Sequence, residues 1–226
     1  MTLSNTLIFL KKLSENNNRQ WFSENIELYK EAKNEFDQFI NKLIPQLKFI
    51  DNQINVTSAK ECTFRIYKDV RFSKNKLPYK TNFGAYISKG GKKSNYAGFY
   101  IHLDSEKSFV GGGIYMPQPS ILKAIRTEIV YNSDELRKII KANNFKTILK
   151  ELQGEKLKTA PRGYPKDHKD IDLLKFKSFF VSHELSKEQI ISENLSEKII
   201  EVCKVILPLN QYFNKIIDEI EPEITI

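Results

Sequence analysis

The sequence predicts an α+β fold, in which an antiparallel β-meander is flanked by N-terminal and C-terminal helices. Residues 1–50 and 118–226 carry apolar side chains at helical spacing, and the second stretch also contains a short strand. Between residues 60 and 116, apolar and polar residues alternate, which is the period of a β-strand. Short connections between the strand candidates favour a meander. Helices, a meander and helices again are typical of an α+β protein.

Two helices are predicted in the N-terminal region. The first runs from Ser4, placed as its cap, to about Asn16. The second runs from Asn18 to about Ile44 and carries one apolar stripe. Pro45 is expected to end or kink this second helix, because proline has no N–H to donate to the preceding turn.

Four strands are predicted in the alternating region, beginning with residues 65–71. Lys68 interrupts the apolar side of this first strand, so a bulge or an end is expected there. The other three strands cover residues 83–88, 98–104 and 108–115.

The remaining chain is predicted as mostly helical. Helices are expected at residues 119–131, 133–142 and 145–152, near 171–176, and from about 195 onward, with a strand at 178–183. Since the chain shows no internal repeat and no low-complexity linker, residues 1–226 are predicted to form a single domain.

Charge and cysteine content narrow the class of protein. The net charge is +8, and residues 60–93 alone hold ten Lys or Arg and two acids, which again gives 10 − 2 = +8. Two distant cysteines, Cys62 and Cys203, favour a reducing compartment, and we expect a cytoplasmic protein. No apolar run reaches the roughly 20 residues that span a bilayer, so no membrane partner is expected.

The basic stretch RIYKDVRFSKNKLPYK, residues 65–80, is the first candidate site. On a strand, Asp69 would share a face with Arg65 and Arg71, and a carboxylate between two guanidiniums stays ionised and fixes their orientation. Many cationic donors with few acids predict a site for a phosphate- or carboxylate-bearing ligand. The candidate ligand-binding residues are Arg65, Tyr67, Asp69, Arg71, Ser73, Lys76, Tyr79 and Lys80.

The same pattern permits other interpretations. A solvated basic face needs no ligand, and a nucleic-acid-binding surface would use the same charge. A third alternative is a structural or interaction domain in which Arg65, Asp69 and Arg71 form an internal ionic network.

Two further strands add candidate residues. On the strand at 98–104, Tyr100 and His102 share the polar side, and His102 is the candidate for proton transfer because its ordinary pKa is about 6.5. In the run Gly111–Gly113, Gly112 would let either a ligand or a helix approach the backbone closely. If the strands are neighbours, Tyr100 and His102 would join Arg65, Tyr67 and Arg71 in one concave patch.

No cofactor or metal is expected. The glycine run is not followed by GK[ST], and it has neither the spacing nor the βαβ setting of a dinucleotide site. His168 lies among aspartates in PKDHKDID, but the chain has three histidines in all and lacks paired-histidine spacing. A local hydrogen bond is the favoured role for His168.

Several motifs together resemble the domain-of-unknown-function family 2461, a group of mostly bacterial proteins. They are FLKKLSENNNRQWFSENIELYKEA, FRIYKDVRFSKNKLPYKTNFGAYI, GFYIHLD, SFVGGGIYMP, LKAIRTEI and APRGYPKDH, in that order. The resemblance covers nearly the whole chain and implies one cytoplasmic domain but no particular activity. The chain departs from the family pattern at Lys68, Leu77 and Tyr115. The positions that match are Arg65, Asp69, Arg71, Phe72, Ser73, Lys76, Pro78, Tyr79, Lys80, Tyr100, His102, Gly111, Gly113, Arg126, Arg162, Gly163 and His168.

Overall fold

The fold is α+β, as predicted. The computed structural model of the chain describes residues 2–69, 71 and 76–220. Within these residues the four strands form an antiparallel sheet in the order β1-β2-β3-β4. The strands are β1 Asn82–Ile87, β2 Gly98–Asp104, β3 Ser108–Ile114 and β4 Phe179–Leu185. The helices are α1 Ser4–Glu15, α2 Arg19–Glu24, α3 Ile26–Ile50, α4 Ala59–Cys62, α5 Pro119–Lys141, α6 Asn143–Ile148, α7 Ile171–Leu174, α8 Lys187–Ile190 and α9 Leu195–Ile220.

The chain divides into two compact units. Unit 1 comprises Met1–Lys92, Tyr100–Val110 and Glu184–Glu201, and unit 2 comprises Lys93–Phe99, Gly111–His183 and Val202–Ile226. The single domain expected over residues 1–226 stays a prediction. Among the described residues, no helix combines the length and the apolar character that a membrane crossing requires.

The N-terminal helices differ from the prediction at three points. Ser4 is the first helical residue rather than the cap, since Leu3 occupies the cap position without a side-chain hydrogen bond. The predicted second helix is two helices, because Asn25 takes a non-helical conformation between α2 and α3. Pro45 does not end α3, which continues to Ile50. Pro45 lies on the exposed side of α3, where the ring meets solvent and the helix loses one hydrogen bond.

The predicted strand at residues 65–71 is wrong as a regular strand. Its described residues make two isolated antiparallel bridges with the chain around β1, Thr63 to Ala85 and Tyr67 to Tyr79. Between the bridges the two sides differ in length by two residues, since 67 − 63 = 4 and 85 − 79 = 6. The extra residues break the ladder, as in a bulge. Val70 and residues 72–75 lie outside the described residues.

Two backbone hydrogen bonds form the second bridge. The Ile66 carbonyl accepts from Lys80 N at 2.8 Å, and the Pro78 carbonyl accepts from Lys68 N at 2.9 Å. On the other side of this pair, Asn17 binds both backbone groups of Tyr79, at 3.2 Å to its N–H and 3.0 Å to its carbonyl. A side chain therefore takes the place of a further strand at this edge.

The other strands follow the prediction within two residues at either end. In β2, Phe99, Ile101 and Leu103 are buried while Tyr100, His102 and Asp104 stay partly exposed, as the predicted alternation requires. The two helical segments predicted at 119–131 and 133–142 are the halves of α5, which breaks at Asn132. Helices α4 and α8, of four residues each, were not predicted.

Helix α9 holds the strands of unit 2 by asparagine side chains. Asn214 accepts from Ala97 N at 2.7 Å and donates to Ala97 O at 3.2 Å. One turn earlier, Asn210 accepts from Gly113 N at 2.7 Å. Both asparagines are fully buried, so these bonds fix how the helix sits on its own unit's strands.

Candidate functional site

The polar side of β1 and β2 in unit 1 carries a cluster of aromatic, cationic and imidazole side chains. The strand β2 supplies Tyr100 and His102, which alternate with its buried residues. Every residue of the cluster is partly or largely exposed. We call this cluster the open face, and its members are Phe64, Arg65, Lys80, Asn82, Tyr100, His102 and Phe109.

A glycine on β1 makes room for the central ring of the open face. A Cβ at Gly84 would lie 2.5 Å from the Tyr100 hydroxyl oxygen and 3.1 Å from two ring carbons. Any side chain at position 84 would therefore displace Tyr100. Because Gly84 has none, the Tyr100 ring covers the β1 backbone and its hydroxyl reaches His102.

His102 is held by three neighbours. Its Nδ1 lies 3.1 Å from the Tyr100 hydroxyl and 3.5 Å from the Asn82 side-chain nitrogen. The ring of Phe109 stacks on the imidazole with centroids 4.6 Å apart and planes at 14°. The orientation of His102 is thus set before any ligand arrives.

The protonation of His102 follows from the same surroundings. Burial lowers the pKa of His102, and the negative charge of Asp104 opposes this without reversing it. Burial also raises the pKa of the Tyr100 phenol to about 12, so this hydroxyl remains a donor. The Asn82 amide nitrogen can only donate, so Nδ1 is the acceptor and the proton of the neutral ring sits on Nε2.

Two cations border the rings. The Lys80 ammonium lies 5.7 Å from the centroid of the Phe64 ring, within the range of a cation–π contact. Burial lowers the pKa of Lys80, and the positive charge of Arg65 lowers it further. Within the described residues neither Arg65 nor Lys80 forms an ion pair. An anion placed here would relieve the repulsion between the two cations.

The structure brings together four of the predicted site residues and separates two tyrosines from them. Tyr100 and His102 contact each other, Lys80 lies over the Phe64 ring beside them, and the charge of Arg65 reaches Lys80. Tyr79 is 7% exposed and stacks on Phe22 at 4.0 Å, so it belongs to the core. Tyr67 lies 5.6 Å from the Tyr79 ring and joins the same aromatic cluster. The predicted concave patch does not include Tyr67, which lies against Tyr79 and Phe22 of α2.

Asp69 and Arg71 form a separate surface pair. Arg71 donates to Asp69 through Nε at 3.0 Å and through Nη2 at 2.7 Å, and these bonds are the main reason that the pKa of Asp69 is lowered. Arg65 adds the smallest contribution to that lowering. With 46% of Asp69 and 77% of Arg71 exposed, the pair is not the buried network of the third alternative.

Lys76 and Ser73 are the remaining predicted ligand-binding residues of this stretch. Lys76 is exposed at the surface of the turn. Ser73 lies outside the described residues.

Gly112 is covered by a helix, which corrects its interpretation as a ligand contact. A Cβ at Gly112 would overlap Ile206 of α9, and it would lie 3.0 Å from the Gly98 carbonyl oxygen. The missing side chain therefore serves helix packing, the second of the two roles predicted for it. Gly113 is required for its backbone conformation, since a residue with a side chain would rarely adopt its φ of +100°.

Four residues of this region were not predicted as site residues. Phe64 precedes the predicted first strand, and its N–H donates to the Gly84 carbonyl at 2.9 Å, which places it beside β1. Asn82, Gly84 and Phe109 sit on strands that were predicted correctly. The alternation of residues along these strands could have marked the three positions as candidates. Only the order and register of the strands decide which of them face Tyr100.

His168 makes the local contact that was favoured for it. Its Nδ1 accepts a hydrogen bond from Asp170 N at 3.1 Å. In the described part of the chain, no three His, Cys, Asp or Glu residues come together in a group that could hold a metal ion.

Comparison with known families gives one match. The model of the family described as "Conserved hypothetical protein (DUF2461)" matches residues 5–212 of the 226. The matched region includes every residue of the open face, and it confirms the resemblance found from the sequence motifs. No curated protein matches the chain.

Proposed function

For this chain, which belongs to the conserved hypothetical protein family DUF2461, we propose that the open face binds a small ligand through a phosphate or carboxylate group. One observation carries the proposal. Burial and the positive charge of Arg65 lower the pKa of Lys80, and within the described residues neither side chain forms an ion pair with a carboxylate. Such a pair of cations is stabilised by an anion that binds between them.

The energetics of Lys80 support the same conclusion. Its half-buried ammonium has lost part of its hydration, and Arg65 repels it. A bound anion would act against both effects, because it offers hydrogen bonds and opposite charge. Binding is therefore expected to raise the pKa of Lys80.

His102 gives the open face a side chain that can donate or accept a proton. With Nδ1 already accepting from Tyr100, the Nε2–H group remains as a donor for an anion. We assign His102 the role of hydrogen-bond donor to the ligand. The alternative is that His102 transfers a proton in an enzymatic reaction. In that case Nε2 would have to accept a proton instead of donating a hydrogen bond.

Nucleic-acid binding is the second candidate function. It is favoured by the contact of Lys80 with the Phe64 ring, because single strands bind where cations lie next to exposed rings. This function predicts an electrophoretic shift with RNA or DNA that weakens steeply as salt rises. No shift at low salt would remove it.

Titration calorimetry tests the anion site. The probes are inorganic phosphate, ribose 5-phosphate and citrate, each added to the wild type, Arg65→Gln, Lys80→Gln and Lys123→Gln. Lys123 is exposed on α5 and serves as the control for the loss of one positive charge. We expect the two open-face variants to bind the best probe about 10-fold more weakly, as for a lost charge-assisted hydrogen bond. Absence of binding by all three probes to the wild type would contradict the proposal.

We also propose a cytoplasmic location. Cys62 and Cys203 are both free and buried, and burial raises the pKa of the Cys62 thiol to about 12. Unpaired thiols suit a reducing compartment. Fractionation of cells that express the tagged chain measures this directly, and recovery in the membrane fraction would contradict it.

A further inference from the structure

The open face offers a surface of rings beside its cations. We infer that the ligand carries, next to its anionic group, one flat unsaturated ring that stacks on this surface, as a nucleoside monophosphate does. This inference rests on the proposed anion site and adds the class of molecule that the site would select.

The rings of the open face are contiguous. Phe109 stacks on His102 at 4.6 Å, and both ring centroids lie 5.8 Å from that of Tyr100. Phe64 continues the series, 6.4 Å from Tyr100. Lys80 lies over this last ring. A path of neighbouring rings therefore runs from the imidazole to the ammonium group.

These rings remain partly exposed, in contrast to the aromatic core of the same unit. Phe22 and Tyr79 also stack, but they are 3% and 7% exposed. Each ring of the open face keeps part of its surface in contact with solvent. Exposed apolar surface that is contiguous and bordered by charge marks a binding surface. A flat ring is its natural complement, because aromatic pairs gain from stacking beyond the area they bury.

An acidic group limits the length of the anion. Asp104 follows His102 on the same side of β2, and its charge is close enough to affect the pKa of His102. Glu106 is exposed in the turn that follows. A long polyanion that crossed the face past His102 would meet the repulsion of these carboxylates. The geometry thus favours a small ligand over a nucleic-acid strand.

Calorimetry with matched probes tests the inference. Adenosine monophosphate and ribose 5-phosphate carry the same phosphate, and only the first carries a flat ring. We expect adenosine monophosphate to bind the wild type about 10-fold more tightly, the size of one stacking contact. Phe109→Leu, which keeps apolar bulk but loses the ring, should abolish this preference for adenosine monophosphate. Lys80→Gln should weaken both probes equally.

The outcomes separate the two proposals. Equal binding of both probes to the wild type would contradict the inferred ring in the ligand and leave the proposed anion site unaffected. Failure of both probes to bind, together with phosphate and citrate, would overturn the anion site itself. Affinity that grows with the length of a single-stranded oligonucleotide would overturn the assignment to a small ligand. Circular dichroism of Phe109→Leu checks the fold, and Lys123→Gln, which should keep the wild-type preference, is the control.

Discussion

The Tyr100 ring lies against the backbone of Gly84, with its hydroxyl oxygen 2.5 Å from the point where a Cβ at position 84 would stand. We expect Gly84→Ala to force Tyr100 away and to cost about 1–3 kcal/mol of unfolding free energy, as overpacking does. Urea unfolding measures this cost. In a Tyr100→Ala background the same substitution should cost about 0.5 kcal/mol or less, because the clash is gone. An equal cost in both backgrounds would show that Gly84 matters for another reason.

The hydrogen bonds to His102 fix its tautomer. We expect the neutral ring to carry its proton on Nε2, because Nδ1 accepts from Tyr100 and Asn82. Nitrogen-15 NMR of the histidine ring distinguishes the two tautomers, and the His102→Gln spectrum assigns the signals. The titration midpoint should lie below 6.5, since burial lowers the pKa of His102. A proton on Nδ1, or a midpoint above 6.5, would contradict this arrangement.

The buried Asp170 is expected to tie a loop of unit 2 to α5. It accepts from Ser133 Oγ at 2.9 Å and from Arg137 Nε at 2.7 Å. Arg137 also bonds the exposed Asp172 at 2.8 Å, which supplies a matched control. Asp170→Asn should cost about 1–3 kcal/mol of unfolding free energy, because a buried charged hydrogen bond is lost. Asp172→Asn should change it by about 0.5 kcal/mol or less. Equal effects of the two substitutions would contradict the role given to burial.

Asp170 also gives a pH dependence. Burial acts to raise its pKa, but the hydrogen bonds from Arg137 and Ser133 outweigh burial, so the folded pKa is lowered. A lowered folded pKa means that the unfolded chain binds more protons at acidic pH. The stabilisation is therefore present above the unfolded pKa of about 3.9 and is lost as pH falls through the folded value. The wild type should lose its advantage over Asp170→Asn in this acidic window, as urea unfolding at several pH values measures. An advantage that does not change with pH would contradict the assignment.

Asn214 is expected to anchor α9 more strongly than Asn210 does. It satisfies both backbone groups of Ala97, and Asn214→Leu would leave a buried N–H and a buried carbonyl without that partner. We expect a loss of about 1–3 kcal/mol of unfolding free energy for each unsatisfied group. Asn52→Leu, at an exposed position, is the control and should change the value little. Chemical denaturation of both variants measures the difference, and similar stability would contradict the anchoring role.

Sequence patterns located most elements but only part of the site. The alternation in GFYIHLD sufficed to place Tyr100 and His102 together on one side of a strand, because a strand has a fixed period of two. The same reasoning failed for the basic stretch. It assumed an unbroken strand, and the two bridges Thr63–Ala85 and Tyr67–Tyr79 differ in register by two residues. Asn17, distant in the sequence, binds the backbone of Tyr79 at the second bridge, and local periodicity does not include such contacts.

By itself, the sequence determined the α+β class, the strands β1 to β4 and the positive charge of residues 60–93, since these follow from periodicity and composition. The tertiary structure decided which of those charges meet the rings. It paired Arg71 with Asp69 at the surface, buried Tyr79 in the core, and placed Lys80 over the Phe64 ring. The physical reason is that strand register and burial are set by contacts between residues distant in the chain, and one shift in register changes every neighbour that follows.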